Sequence, residues 1–123
     1  MASALKVTWL WWKNYWIERH TPITTTYDGI WLRTKSHNRI ILGLTDQAKE
    51  DIGDITFIDY PTKTPHLNAG DPLIDLEGGK AVETFKVPVG GTVTAYNDDL
   101  LQHPEKISQN KLADNWIVEL KGD

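Results

Sequence analysis

Lys80 lies in the stretch Asp75-Leu-Glu-Gly-Gly-Lys-Ala-Val-Glu83, where residue types and spacing offer this chain's clearest chemistry. A lysine amine that has lost its proton is a nucleophile toward activated acyl groups, and the resulting amide can carry a prosthetic group covalently. The apolar runs on either side, residues 71–76 and 82–89, read as short strands, and the glycine pair between them reads as a tight reversal. The expected result is a β-hairpin with a primary amine at or beside its tip, held away from the body of the protein and open to a modifying enzyme. Gly78 and Gly79 are expected to serve the turn, because glycine reaches positive φ without a Cβ clash. Glu77, three residues before the lysine, reads equally as a contact for the modifying enzyme and as a solvated hairpin charge. Glu83, on the far strand, is a weaker version of the same.

Other chemistry finds little footing. The chain has no cysteine, which excludes disulfides, thiolate metal sites and a cysteine nucleophile. No two of His20, His37, His66 and His103 have metal-motif spacing. Asp98-Asp99 and the trio Asp46, Glu50 and Asp51 fit helix starts, where carboxylates are favoured, and no calcium loop surrounds them. A phosphate-cradling Gly-x-x-x-x-Gly-Lys-Ser/Thr pattern is absent. Catalytic residues and metal ligands are therefore expected to number none.

The elements that must hold the lysine follow from the punctuation. Residues 30–33 read as a strand, 35–38 as a turn and 39–44 as a second strand. Thr45 reads as the N-cap of a short helix that Gly53 ends. Residues 55–60 alternate like a half-buried strand and stop at Pro61. A turn over 68–71 precedes the lysine hairpin, Pro88 to Gly91 break the next strand, and 92–96 resume it. Short helical turns at 98–102 and 104–109 lead to a last strand at 116–120. Many short strands with turn residues between them indicate a mainly β fold, a flattened antiparallel barrel or sandwich with short helices.

At 123 residues the chain is one domain with an extension. Residues 1–28 form a Trp-rich N-terminal extension, and 29–123 form the domain that carries the hairpin. Five of the six tryptophans precede residue 32, which singles that segment out. Residues 7–11 and 15–18 read as strands about a turn at Lys13-Asn14, and Asp28-Gly29 is a strong turn signal after β-prone 24–27. Trp9, Trp11, Trp12 and Trp16 are expected to pack on the core or to mediate self-association, ahead of binding a ligand. The net charge of −4 argues against nucleic acid. The apolar run over 5–17 is too short and interrupted to cross a membrane, and it lacks a secretory cleavage site. A cytoplasmic location is the expectation.

The order of motifs from about residue 30 to 120 resembles the H protein family of the glycine cleavage system. Leu42-Gly-Leu-Thr-Asp-Gln-Ala-Lys-Glu50 is similar to its Gly-hydrophobic-Thr-x-x-Ala-x-Glu run, and Ile52-Gly-Asp-Ile-Thr-Phe-Ile-Asp-Tyr-Pro61 to its Leu-Gly-Asp strand ending at proline. Glu77-Gly-Gly-Lys-Ala81 occupies the place of its Glu-Ser-x-Lys-Ala lipoylation motif. Pro88-Val-Gly-Gly-Thr-Val93, Asn97-Asp-Asp-Leu100 and Asn115-Trp-Ile-Val-Glu-Leu120 follow in the family's order. The chain departs from the pattern at Gly78-Gly79, where the family has serine and a small apolar residue, and before Ile30.

The resemblance implies a lipoyl-domain hybrid fold and a non-catalytic carrier. Lipoic acid would be joined to Lys80 by an amide, within a site that includes Glu77, Gly78, Gly79 and Ala81. It implies shuttling of the aminomethyl intermediate of glycine cleavage on that lipoyl-lysine arm. The implied partners are a lipoate-attaching ligase, glycine decarboxylase, aminomethyltransferase and dihydrolipoamide dehydrogenase. Asn14-Tyr-Trp-Ile-Glu18 also resembles the start of H-like lipoyl carriers of redox or ADP-ribosylation signalling, the first alternative. A second is an unmodified aromatic-rich β-module that binds through its tryptophans. A biotin carrier is disfavoured, because Met1 is the sole methionine.

Overall fold

The computed structural model describes residues 25–123. The expectations for the strands at 7–11 and 15–18, for Lys13-Asn14, for His20 and for Trp9, Trp11, Trp12 and Trp16 fall outside those residues.

Among the described residues nine strands follow one another as β1 (Thr25–Tyr27), β2 (Ile30–Lys35), β3 (Arg39–Leu44), β4 (Ile55–Asp59), β5 (His66–Leu67), β6 (Pro72–Gly78), β7 (Val82–Lys86), β8 (Gly91–Tyr96) and β9 (Trp116–Gly122). Helix α1 (Asp46–Ile52) joins β3 to β4, and α2 (Asp98–Gln102), α3 (Lys106–Gln109) and a 3₁₀ turn (Leu112–Asn115) join β8 to β9. The strands form a six-stranded sheet in the order β1-β2-β3-β9-β8-β5 and a three-stranded sheet in the order β4-β6-β7. Every pairing is antiparallel. The flattened antiparallel β architecture expected from the punctuation is the one observed.

The inward residues of both sheets share one core with α1. Ile30, Leu42 and Leu120 of the larger sheet are fully buried with Ile74 and Leu76 of the smaller sheet and Ile52 of the helix. Each such aliphatic side chain contributes roughly 1.5–3 kcal/mol relative to exposure. Residues alternating with these point to the other face of the larger sheet. There the Trp31 ring lies directly over Gly43, its register partner, with the Arg33 guanidinium carbon 5.4 Å from the ring centre.

Helix α1 begins and ends as read. The Thr45 side chain accepts a hydrogen bond from the Ala48 N–H at 3.2 Å, and Gly53 closes the helix at φ +80° with its N–H on the Lys49 carbonyl. The turn at Asp28-Gly29 forms with both residues at positive φ, and so does the 35–38 turn, through His37 and Asn38.

Three local expectations need correction. Strand β6 runs two residues further than expected, so Glu77 and Gly78 belong to the strand. Strand β7 stops at Lys86 rather than residue 89. Past it, Val87 turns its N–H to the Asp71 carbonyl at 2.9 Å, and Pro88 has no N–H for a ladder. Neither Gly78 nor Gly79 takes positive φ, so the turn does not use the conformational freedom expected of them. Strand β5 and the 3₁₀ turn, too short to leave a periodic signal, were not legible in the sequence.

Candidate functional site

The lysine hairpin is set by the register of β6 and β7. Ile74 faces Phe85, Leu76 faces Glu83 and Glu77 faces Val82, which leaves Gly78 to Ala81 as the end of the hairpin. The Gly78 N–H donates to the Ala81 carbonyl at 3.0 Å, and the chain reverses through Gly79 and Lys80. Alternation along β6 fixes the hairpin to the body, because Ile74 and Leu76 are buried in the core. Lys80 itself is exposed.

The tip is not free in solvent. It rests on the corner where α1 passes into β4. The Lys80 N–H donates to the Ile52 carbonyl at 2.9 Å, and the Gly79 N–H to the Asp54 carbonyl at 3.2 Å. The lysine Nζ reaches the Glu50 carbonyl at 3.4 Å, a long contact. The side chain therefore lies back over the end of α1 while its amine stays accessible.

Sequence reasoning identified Lys80, Glu77, Gly78, Gly79 and Ala81, and these are contiguous at the tip. The corner formed by Glu50, Ile52, Gly53 and Asp54 was read only as a helix stop. Its signal was present in Ile52-Gly-Asp54, but nothing local says that this corner meets a hairpin some 25 residues on. Glu77 is exposed, and its carbonyl accepts from the Thr56 hydroxyl at 3.3 Å. Its carboxylate makes no described contact with Lys80. Glu83 is exposed one residue beyond Val82, and Asp54, Asp51 and Glu50 add exposed carboxylates from the corner. The elements that meet at the tip thus contribute exposed acidic groups.

Chemically, an exposed primary amine on a braced turn can accept an acyl group, and a long acyl chain attached there would extend into solvent without displacing packed atoms. The site fits a covalently held arm. A cleft of about 400 Å³ runs along the far part of the same hairpin, lined by Tyr27, Asp28, Thr84, Phe85, Lys86, Val87 and Pro88. Among the described residues no cluster of three or more His, Asp or Glu could hold a metal ion, and no helix is long and apolar enough to cross a membrane.

Comparison with known proteins places this geometry. The family described as Glycine cleavage H-protein matches residues 16–123, which includes part of the Trp-rich segment. A glycine cleavage system H protein of Chromohalobacter salexigens is 31% identical over 104 residues, covering 83% of this chain and 79% of that protein. One from Salmonella arizonae is 35% identical over 91 residues, covering 74% of this chain and 70% of that protein. The crystal structure of a glycine cleavage system H protein from Mycobacterium marinum has the same fold, with a TM-score of 0.69 at 22% identity over 79% of this chain and 80% of that one.

Proposed function

This chain belongs to the glycine cleavage H-protein family, and we propose that it acts as that system's lipoyl carrier, with Lys80 as the attachment point. The observation that carries the proposal is the exposed Lys80 amine on a hairpin tip braced by backbone hydrogen bonds to Ile52 and Asp54. In the attachment step the deprotonated Nζ attacks the carbonyl carbon of an activated lipoyl donor. The amide C–N bond forms, the bond to the activating group breaks, and the nitrogen's second proton leaves to solvent. Glu77 and Ala81 flank the lysine where the attaching ligase must pass, and Glu77 offers it a carboxylate.

A lipoyl group held on Lys80 would supply a redox-active dithiolane able to carry a one-carbon aminomethyl unit. The protein's part is presentation. The braced turn fixes the base of the arm, and the exposed acidic groups near it give glycine decarboxylase, aminomethyltransferase and dihydrolipoamide dehydrogenase a common charged surface to meet. Carrying the arm on a docked protein raises its effective concentration at each partner's site.

The test is a glycine-dependent exchange of labelled bicarbonate into glycine by a relative's glycine decarboxylase, with this protein in lipoylated form. Stimulation by the wild type and none by Lys80→Arg is the expected result. A lipoylated wild type that leaves exchange at background, beside an active control carrier, would refute the glycine cleavage role.

A further inference from the structure

We infer that the hairpin tip is a C-terminal cap for helix α1, supplied from across the chain, and that Gly78 and Gly53 are the positioning residues that let Lys80 make it. The last carbonyls of a helix lack partners within it and must find them elsewhere. In α1 the Lys49 carbonyl is satisfied by Gly53, and the carbonyls of Ile52 and Glu50 are taken by the Lys80 N–H and the Lys80 Nζ. One residue thus caps the helix twice, through its backbone and through its amine.

The two glycines before the lysine do different work. A Cβ on Gly78 would lie 2.5 Å from the Ile52 carbonyl oxygen and 2.9 Å from that of Asp54, closer than real Cβ atoms come. A Cβ on Gly79 would meet nothing within 4 Å. With the backbone as it stands in this chain, Gly78 is therefore what lets the hairpin come this close to the helix where the family's pattern has a serine, and Gly79 is spare. On the other side of the contact, Gly53 turns the chain at φ +80°, and a Cβ there would come 3.1 Å from the Lys80 Cγ.

The cap has a neutral part and a charged part. The backbone bonds to Ile52 and Asp54 do not depend on what the lysine carries. The Nζ contact places an ammonium at a helix C-terminus, where the dipole favours a cation. Acylation neutralises that nitrogen and leaves it one proton to donate. The side chain then loses its attraction to the helix end while the base of the arm stays fixed. The same corner so holds the amine still before attachment and lets the arm go afterwards.

The function part of this inference rests on Lys80 being the acceptor; its structural part does not. Amide hydrogen exchange, followed by NMR on the full chain, reads the structural part directly. In the wild type, the Gly79 and Lys80 N–H groups should exchange at least about tenfold more slowly than an open turn amide. Gly78→Ala should remove that protection and Gly79→Ala should keep it, with protection in β3 and β9 unchanged in both. Should Gly78→Ala fail to fold, Gly53→Ala gives the same comparison from the helix side. In acylated wild type the protection should persist.

With a lipoate-attaching ligase, Gly78→Ala should lower kcat/KM for Lys80 by about tenfold through misplacement of the amine, with the loss in kcat, while Gly79→Ala matches the wild type. Free exchange of the wild-type Lys80 N–H, or equal behaviour of the two alanine variants, would overturn the inference. If exchange behaves as expected but no variant or wild type is acylated, the carrier reading fails and the capping contact stands.

Discussion

Two hairpins of this protein, β2–β3 and β6–β7, reach the same shape by different means. The β2–β3 turn is shaped by its own left-handed residues and tied to another strand of its sheet. His37 and Asn38 adopt left-handed φ values of 61° and 59°, and the Asn38 side chain and backbone hold Gly122 of β9 in the same sheet at 2.8 and 2.9 Å. The β6–β7 turn has no positive φ and leans instead on a helix end outside its sheet. The first turn buttresses the scaffold. The second surrenders local self-sufficiency and gains a fixed, exposed amine. The lesson is that the functional lysine is placed by a helix end outside its own sheet, while the scaffold turn is shaped by its own left-handed residues and tied down within its sheet.

The sharpest way to expose that division is to damage the scaffold hairpin. Gly43→Ala drives a methyl into the Trp31 ring that lies over Gly43. It should cost about 3 kcal/mol, at the upper end of overpacking penalties, read as a lower urea midpoint at unchanged m-value. Whatever remains folded should still accept an acyl group at Lys80. A mild effect on stability, or a specific loss of acylation in the folded fraction, would break the comparison.

Asn38→Ala should come next, at about 1–2 kcal/mol, because it combines a left-handed backbone unsuited to alanine with loss of the bond to Gly122. The same urea titration reads it, and Asn38→Gly should recover part of the loss by relieving φ alone.

Tyr60 tests the edge of the smaller sheet. Its hydroxyl donates to the Asn97 carbonyl at 2.8 Å just after β4. Burial foremost, then the nearby Asp98 charge and Tyr96, raise its pKa above the ordinary value of 10. As pH rises through 10, the unfolded chain loses this proton while the native state keeps it. The stabilisation is therefore whole below pH 10 and is lost as pH climbs toward the raised native pKa. Tyr60→Phe should cost about 1 kcal/mol at neutral pH and flatten the alkaline fall. Thermal melts from pH 8 to 11 would show it; an equally steep fall in the variant would assign the alkaline loss to other groups.

The smallest effect belongs to the functional tip. Gly79→Ala should change stability by less than about 0.5 kcal/mol, since its added methyl meets nothing. A larger change in the urea midpoint would mean that the tip is tighter than described.

What the sequence disclosed follows the same division. The 35–38 turn, the Thr45 cap and the Gly53 stop are set by neighbours in the chain, and each is found as read, whereas the alternation expected over 55–60 is broken by a register shift between Ile55 and Phe57 that leaves Phe57 exposed and buries Ile55, Ile58 and Tyr60. Lys80 was legible through its glycines and flanking apolar runs. The reason offered for those glycines was not correct, because the need for Gly78 arises from the carbonyls of Ile52 and Asp54, some 25 residues away. Strand β5 is two residues long and exists because β8 lies beside it. Periodicity does not report contacts of that kind.

The central claim is that Lys80 is the acceptor of a lipoyl group. Intact mass after incubation with a lipoate-attaching ligase, ATP and lipoate tests it most directly, with Lys80→Arg alongside. The account predicts a gain of one lipoyl group on the wild type, mapped by peptide fragmentation to Lys80, and none on the variant. An unchanged wild-type mass, with the protein folded and the ligase active on a relative's H protein, would contradict it.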